Sequence, residues 1–302
     1  MTVLGPVDVE ALSVVDAHSH VWIARVDDGA PDAPVLVDEP LLNRQLADYR
    51  QAGGSAIVDC QPDVACGRDA NRLVALSRRS GVQIIACTGF HRQRYYAPDA
   101  KVWRMTAAQA TDLFVAEIEG GLIETRDRTP VYPGFIKIAA EASFAQSSRT
   151  LFEAAAAACL RTGLAIEMHT EQGADVETIL PFFLDRGVTP ARLIFCHVDK
   201  RPDFGLHREL ASAGVTLEYD TIFRPKYGPE QNLWPLLTQM IDDGLAGQVA
   251  LATDMAEQRM WADVGPVAFA RDIPYRLQAM GVDEATIRQL MGGNIVKQLV
   301  II

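Results

Sequence analysis

Short apolar runs alternate along the chain with longer amphipathic stretches, and polar or glycine-containing loops separate them. The runs are rich in β-branched and aliphatic residues, as buried strands are, whereas the stretches repeat their apolar positions every three or four residues, as helices do. Eight strands are predicted, at 13–17, 55–60, 82–88, 135–139, 164–169, 192–197, 215–219 and 248–253. Eight helices are predicted, at 41–51, 70–80, 107–119, 150–161, 174–186, 204–213, 231–242 and 267–280.

The alternation of these elements predicts the fold class. Strands that alternate with helices are typical of a parallel sheet with helical crossovers. The strand ends recur at intervals of roughly 30 residues, the length of one strand–helix unit. Eight such units favour an α/β fold of the closed (β/α)8 TIM-barrel type, spanning residues 1–302 as a single domain. An open, doubly wound sheet has the same periodicity and remains the alternative.

Composition and charge indicate a globular protein and argue against nucleic-acid and membrane partners. The chain has 302 residues, 49% hydrophobic and 22% charged, and a formal net charge of −11. This composition is that of a globular protein with a sizeable core. The negative charge argues against a nucleic-acid partner, which would require a basic surface to neutralise phosphates. No apolar run approaches the 18 or so residues of a membrane span, so we expect no membrane association.

The cysteines and the amino terminus bear on localisation. The first basic residue is Arg25, so the chain lacks the positive start of a signal peptide. Four of the five cysteines lie in apolar stretches, which is typical of buried, reduced thiols. We therefore expect a cytoplasmic protein without disulfides.

The most informative residues are ionisable side chains at the ends of the predicted strands. His18 and His20 are two residues apart, so the strand period of two places both on one face. The others each end or close an apolar run; they are Lys137, His169, His197 and Asp254. In a (β/α)8 barrel the active site is built at the carboxyl ends of the strands. A single histidine at a strand end is more often a buried, hydrogen-bonded polar residue. That explanation is harder to sustain for Lys137, because a buried ammonium without a partner is costly. The coincidence of all six residues favours one site.

These residue types suit a metal centre. Imidazoles and carboxylates bind Zn²⁺ and similar divalent ions. A lysine ammonium has no lone pair and cannot be a ligand. We expect burial and nearby metal charge to depress the pKa of Lys137, so that its neutral amine reacts with CO₂ to form a carbamate. That carbamate would be a bidentate carboxylate able to bridge two metals.

The set His18-x-His20, Lys137, His169, His197 and Asp254 resembles the phosphotriesterase family of binuclear metallohydrolases, within the amidohydrolase superfamily. The resemblance covers nearly the whole chain. Further matching segments are Thr2-Val-Leu-Gly-Pro6, Gly67-Arg68-Asp69 and Thr88-Gly89-Phe90. The six-residue pattern is specific, whereas the His-x-His pair alone is not.

The resemblance implies two divalent metal ions. His18, His20 and Asp254 would hold the buried ion, His169 and His197 the more exposed one, and carboxylated Lys137 and a hydroxide would bridge them. Zn²⁺ is expected first, with Mn²⁺, Co²⁺ or Fe²⁺ as alternatives. Bound water would become a nucleophile near neutral pH. Asp254 would take its proton and deliver it to the leaving group. The resemblance also implies a homodimer.

Basic residues near the expected mouth of the barrel point to an anionic substrate. Nine of the 28 basic residues fall in these loops: Arg92, Arg94, Lys101, Arg104, Lys200, Arg201, Arg224, Lys226 and Arg259. The segment Arg224-Pro-Lys226-Tyr227 is the sharpest candidate for substrate binding, because the loops after the last two strands commonly bind phosphate in such barrels. Tyr95 and Tyr96 are candidates for covering the substrate, and we expect His91 and His207 not to be ligands.

Residues 193–261 resemble the branch of the family that hydrolyses sugar-phosphate γ-lactones. That branch would have an arginine soon after Asp254-Met-Ala256, whereas here Glu257 and Gln258 precede Arg259. The expected substrate is therefore a small anionic lactone, a sugar γ-lactone or its phosphate. A phosphotriesterase, carboxylesterase or acyl-homoserine lactonase using the same metals is the alternative enzyme. A non-catalytic protein that binds a metal or ligand is the alternative outside enzymes.

Overall fold

Parallel strands form the centre of the computed structural model, which describes residues 1–299. The nine strands are β1 (Val14–Ser19), β2 (Gly54–Asp59), β3 (Gln83–Ile85), β4 (Cys87–Gly89), β5 (Phe135–Ala139), β6 (Ile166–His169), β7 (Leu193–Cys196), β8 (Thr216–Tyr219) and β9 (Val249–Leu251). Consecutive strands pair in parallel within β1–β3 and within β4–β9. The strands β3 and β4 are two halves of one barrel strand, interrupted at Ala86.

The sheet closes on itself next to the last strand. The backbone N–H of Asp254 donates to the carbonyl of His18 at 2.8 Å, and that of Thr253 donates to the same oxygen at 3.3 Å. The last segment is thereby joined to the first, which completes eight barrel strands. The predicted (β/α)8 barrel is confirmed, and the open-sheet alternative is excluded by this closure.

Helices follow the strands and cover the outside of the barrel. They are α1 (Glu39–Gln51), α2 (Ala70–Ser80), α3 (Ala107–Gly120), α4 (Arg149–Thr162), α5 (Val176–Leu184), α6 (Phe204–Ala213), α7 (Leu233–Asp242), α8 (Gln258–Asp263), α9 (Gly265–Ala279), α10 (Glu284–Arg288) and α11 (Asn294–Leu299). All eight predicted helices are present, with boundaries that differ by up to two residues. Among residues 1–299, no helix is long and apolar enough to cross a membrane.

Local sequence signals explain where the helices begin and end. Asp69 and Asp203 each accept a hydrogen bond from a backbone N–H in the first turn of α2 and α6, as a helix N-cap does. Those helices end at Gly81 and Gly214, both left-handed, a conformation that costs little without a side chain. This is why the sequence pattern predicts both helices to the residue.

The core has two layers. Inside the barrel the packed side chains are mostly small, among them Ala17, Ala56, Ala165, Ala250 and Ala252. The larger aliphatic and aromatic side chains fill the space between strands and helices. All five cysteines are buried and free.

The carboxyl-terminal segment, where the sequence pattern predicts no element, closes the floor of the barrel. Asn294 donates from its side chain to the carbonyls of Ala246 and Val249, at 2.8 and 2.7 Å. Gly292 has a φ of 152°, and a Cβ there would lie 2.9 Å from the backbone nitrogen of Val15. The floor is therefore sealed, and access to the barrel is from the opposite end, where the strands finish.

Candidate metal centre

The six side chains of the predicted metal set come together at the open end of the barrel. They come from the ends of five strands: His18 lies on β1 and His20 just after it, Lys137 lies on β5, His169 ends β6, His197 follows β7, and Asp254 follows β9. All except Lys137 line one cavity of about 600 Å³. Lys137 lies below the cavity floor and is fully buried.

The imidazole and carboxylate donors are already close to one another. His18 Nε2 lies 3.8 Å from Asp254 Oδ1. The donor atoms of His18, His20 and Asp254 fall within 4.8 Å of one another. The ring centroids of His169 and His197 are 4.6 Å apart. This spacing and donor chemistry fit a divalent metal centre.

Hydrogen bonds at Nδ1 orient three of the histidines. His18 Nδ1 lies 3.0 Å from Glu218 Oε2, and His197 Nδ1 lies 2.7 Å from Asp220 Oδ2. His20 Nδ1 lies 3.0 Å from Gln61 Oε1. A carbonyl or carboxylate oxygen at one ring nitrogen fixes the tautomer and leaves the other nitrogen for a metal.

The fourth histidine retains an unpartnered nitrogen. His169 Nε2 is buried and makes no hydrogen bond among the described residues. A carboxylate oxygen of Glu171 lies 3.6 Å away, beyond hydrogen-bond distance. An unsatisfied buried nitrogen is costly, and binding a metal would remove that cost.

Burial keeps these imidazoles neutral. It lowers the pKa of His20 to about 4 and that of His169 below its ordinary value. Burial also lowers the pKa of His18 and His197 well below the ordinary value. Neutral imidazoles keep the lone pair that a metal requires.

Two candidate ligands have strained backbones. His197 has a φ of 64° and Asp254 a φ of 46°, both in the left-handed region that L-residues rarely adopt. Each such conformation costs on the order of 1–3 kcal/mol and persists only where surrounding structure holds it. The left-handed turns aim both side chains across the mouth of the barrel.

Lys137 lies in a polar cage below the cavity. Its Nζ is 2.5 Å from Glu167 Oε1, 3.3 Å from Cys196 Sγ and 3.4 Å from His18 Nδ1. The neighbouring strand approaches closely, because a Cβ on Gly89 would fall 1.9 Å from the carbonyl oxygen of Lys137. Only glycine fits at that position.

The groups around Lys137 act on its pKa in opposite directions. Burial lowers the pKa of Lys137, but the surrounding Cys196 and Cys60 thiols and the Glu167 and Glu218 carboxyl groups outweigh it and raise the pKa well above its ordinary value. The expected depression includes the charge of nearby metal ions, so it stays a prediction.

Sequence reasoning missed the acidic residues of this cage, although a signal was present. Glu167 lies two residues before His169, and Glu218 lies two residues before Asp220. A side-chain period of two places each pair on the same face of its strand, pointing into the barrel. Both glutamates are fully buried.

The predicted substrate-binding residues line the same cavity. Arg224, Lys226 and Tyr227 all contribute to its wall. Arg224 donates to the Asp254 carboxylate at 2.9 Å, so it also positions a candidate metal ligand. The ammonium groups of Lys200 and Lys226 lie 5.0 and 4.9 Å from the centre of the Tyr227 ring.

The predicted basic rim is only partly present. Of its nine residues, Arg92, Arg94, Lys200, Arg224 and Lys226 line the cavity, whereas Lys101, Arg104, Arg201 and Arg259 do not. The Arg259 side chain is 86% exposed and pairs with Asp263. Glu257 lines the cavity instead. The loop after β9 therefore presents a carboxylate where the lactonase branch would have an arginine.

The segment after β4 adds further groups to the cavity. His91 and Tyr95 line it, while Tyr96 is buried and accepts a hydrogen bond from the His91 backbone. His207 lies elsewhere, on α6, hydrogen-bonded to Tyr219 at 2.7 Å. The cavity position of His91 was not predicted, because loop geometry is not encoded in a simple periodicity.

Comparison with known proteins confirms the predicted family. The model of the phosphotriesterase family matches residues 1–298. The chain is 28% identical to a phospho-furanose lactonase of Mycoplasmopsis synoviae, over 84% of this chain and 75% of that protein. It is 27% identical to an N-acetyltaurine hydrolase of Tetraodon nigroviridis, over 72% of this chain and 70% of that protein.

Solved structures share the fold. A lactonase from Listeria monocytogenes superposes with a TM-score of 0.86 at 20% identity, covering 99% of this chain and 98% of that chain. The phosphotriesterase homology protein of Escherichia coli, complexed with phosphate in its active site, superposes with a TM-score of 0.85 at 21% identity, covering 96% and 99%. At these identities the likeness establishes the barrel and its strand order.

Proposed function

The chain belongs to the phosphotriesterase family of metal-dependent hydrolases, and from that premise we propose that it opens a small anionic lactone, a sugar γ-lactone or its phosphate. The observation that carries the proposal is the convergence of four histidines and Asp254 in one cavity whose wall also holds unpaired cations. The phospho-furanose lactonases among the relatives support the same substrate class.

In this proposal the six-residue set holds two divalent ions. His18, His20 and Asp254 would hold one, His169 and His197 would hold the other, and Lys137 as a carbamate would be a shared ligand. When bound, such ions supply a hydroxide near neutral pH and polarise the lactone carbonyl. Glu218 and Asp220 orient His18 and His197 through the hydrogen bonds at Nδ1.

Asp254 carries the proton in the proposed reaction. Burial raises the pKa of Asp254, but the Arg224 guanidinium and His197 outweigh it, so the pKa lies below its ordinary value. The carboxylate is thus ionised at neutral pH and able to accept a proton from the nucleophile. It then delivers that proton to the ring oxygen as the lactone opens. Arg224 holds the carboxylate in place throughout.

Cations on one side of the cavity would bind the anionic end of the substrate. Lys200 and Lys226 flank Tyr227 and pair with no carboxylate within 4 Å among the described residues. Unpaired ammonium groups suit phosphate or carboxylate. Glu257 adds a carboxylate to this wall, so it would accept hydrogen bonds from sugar hydroxyls.

A substrate panel tests the proposal. Metal-loaded protein would be assayed with pentono-1,4-lactones, their 5-phosphates, an N-acyl-homoserine lactone, a nitrophenyl ester and paraoxon. We expect the highest kcat/KM for a sugar lactone or its phosphate. Activity on paraoxon or the ester alone would favour the alternative hydrolases. The absence of any turnover by protein that binds metal would favour a non-catalytic binding role.

Matched variants test the anion site. Lys226→Gln should lower kcat/KM for a phosphorylated lactone by at least about tenfold and leave the unphosphorylated lactone nearly unchanged, because one charge-assisted contact is worth roughly 1.5–3 kcal/mol. Lys101→Gln, outside the cavity, is the control. Equal losses on both lactones would contradict the assignment. We also propose a homodimer, which light scattering of the purified protein would test.

A further inference from the structure

His91 occupies the cavity wall between candidate ligands of both ions. Its ring centroid lies 6.4 Å from that of His20 and 5.2 Å from that of His169. The residue is 8% exposed and lines the cavity. A histidine at this point could in principle be a seventh metal ligand, a packing residue or a group that contacts substrate.

Hydrogen bonding at Nδ1 fixes the tautomer of His91. The backbone N–H of Arg92 donates to His91 Nδ1 at 2.7 Å. A backbone N–H is always a donor, so Nδ1 must carry the lone pair. In a neutral imidazole the proton is then on Nε2. A protonated Nε2 has no lone pair for a metal, which argues against a ligand role.

The donor at Nε2 is unused. The hydrogen bonds of His91 within residues 1–299 are made by Nδ1 and by the backbone N–H, and none is made by Nε2. The ring lies edge-on to Tyr95, with centroids 4.7 Å apart, so the aromatic contact does not occupy the donor. A single N–H thus remains available at the cavity.

The segment that carries His91 is firmly held. The backbone N–H of His91 donates to the Tyr96 hydroxyl at 3.0 Å. The Arg92 side chain bridges Glu141 and Glu171, and the backbone N–H of Gln93 donates to Glu141 at 2.8 Å. Because this segment is held in place, the His91 N–H need not reorient during the reaction. Electrostatic stabilisation of a transition state depends on such preorganised donors.

We propose that the Nε2–H of His91 donates a hydrogen bond to the substrate oxygen that gains negative charge beside the metal centre. This makes His91 a catalytic residue in addition to the six-residue set, and it rests on the proposed hydrolytic function. Neutral imidazole is suited to this role, because it polarises a carbonyl without needing to lose or regain a proton. It shares the developing charge with the metal site.

Kinetics with matched variants test the proposal. His91→Phe keeps a ring but removes the donor, and His91→Gln places an amide N–H near the position of Nε2. Gln93→Ala, exposed in the same segment, is the control. We expect His91→Phe to lower kcat about 10²-fold with KM within about threefold. We expect His91→Gln to recover part of the loss and Gln93→Ala to match the parent protein.

Two further measurements separate hydrogen-bond donation by His91 from metal ligation and from simple packing. Metal content per chain should be unchanged in His91→Phe, and loss of one ion would instead identify a ligand. Nitrogen-15 NMR of the zinc-loaded parent protein should show His91 protonated at Nε2 and unprotonated at Nδ1. The reverse tautomer, a loss confined to KM, or a kcat within threefold of the parent would each overturn the proposal.

Failure of the His91 proposal can be distinguished from failure of the lactonase proposal. If no lactone is hydrolysed but the ester or paraoxon is, the lactonase proposal fails and the same variants are compared on that substrate. If nothing is hydrolysed, the proposed role of His91 fails with the activity, whatever the tautomer.

Discussion

Removing the Asp220 carboxylate, which is hydrogen-bonded to His197, is expected to weaken binding of the metal ion assigned to His169 and His197. One oxygen of Asp220 accepts two hydrogen bonds from His197, from Nδ1 at 2.7 Å and from the backbone N–H at 2.8 Å. Asp220 is fully buried, so no water can replace it without rearrangement. Asp220→Ala removes both bonds, whereas Asp220→Asn keeps a neutral acceptor.

The size of the effect follows from these contacts. Loss of a hydrogen-bonded partner behind a metal-binding histidine typically weakens metal affinity 10–100-fold, which corresponds to about 1.4–2.7 kcal/mol. Asp220→Ala should reach the upper end, because the strained backbone of His197 also loses its anchor. Asp220→Asn should lie near tenfold, because an amide oxygen still accepts both bonds but without the charge.

The assay is competitive titration of metal-free protein with Zn²⁺ against a chromophoric chelator. We expect one of two binding events to weaken and the other to persist. Asp242→Ala, at the exposed end of α7, is the control for loss of an acidic residue. Unchanged affinity in folded Asp220→Ala protein, or an equal loss in the control, would show that Asp220 does not support metal binding through His197.

Three further predictions concern three buried ionisable residues, Lys137, Asp59 and Arg68. Lys137→Ala should lose metal and activity, and short carboxylates such as propionate should restore both; failure of rescue, together with metal loading that does not depend on bicarbonate, would contradict a bridging carbamate. Burial raises the pKa of Asp59 to about 7, so the folded protein holds a proton that the unfolded chain releases near pH 4. The free energy of unfolding should therefore fall as pH rises from about 4 to 7, by at most about 4 kcal/mol. Burial also raises the pKa of Asp16 and Asp199 to about 7, so Asp59→Asn should reduce this slope without abolishing it in urea unfolding of the metal-free protein, and an unchanged slope would contradict the prediction. Arg68 is buried and pairs with Glu117 at 2.7 Å and Glu124 at 2.9 Å, so Arg68→Met should cost about 3–5 kcal/mol by leaving buried carboxylates unpaired. Chemical denaturation measures this, and a loss under 1 kcal/mol would show that the network adds little.

Local signals made much of the barrel predictable. The strand at Phe135–Ala139 and the helices Ala70–Ser80 and Phe204–Ala213 match the predicted limits, because each has a strong apolar pattern and the helices also have an aspartate cap and a terminal glycine. The interruption at Ala86 and the sealed floor were not predicted. Both depend on contacts between distant parts of the chain, such as those of Asn294.

The histidines of the candidate site could be predicted from the sequence, but their hydrogen-bond partners could not. Histidines at strand ends follow from periodicity and from the rule that barrel sites lie at the carboxyl ends of strands. Their partners do not, because the pairing of Glu218 with His18 or Glu167 with Lys137 depends on which strands are adjacent and how far each side chain reaches. The solvent-exposed position of Arg259 likewise follows from α8, a helix that the sequence pattern did not indicate.

The proposed function depends on whether the six-residue set holds two metal ions. A crystal structure of the zinc-loaded protein, with anomalous diffraction recorded above and below the zinc edge, tests it most directly. We expect two anomalous peaks, one beside His18, His20 and Asp254 and one beside His169 and His197, with continuous density from Lys137 reaching both. A single peak, peaks elsewhere, or Lys137 still paired with Glu167 beneath two bound ions would contradict it.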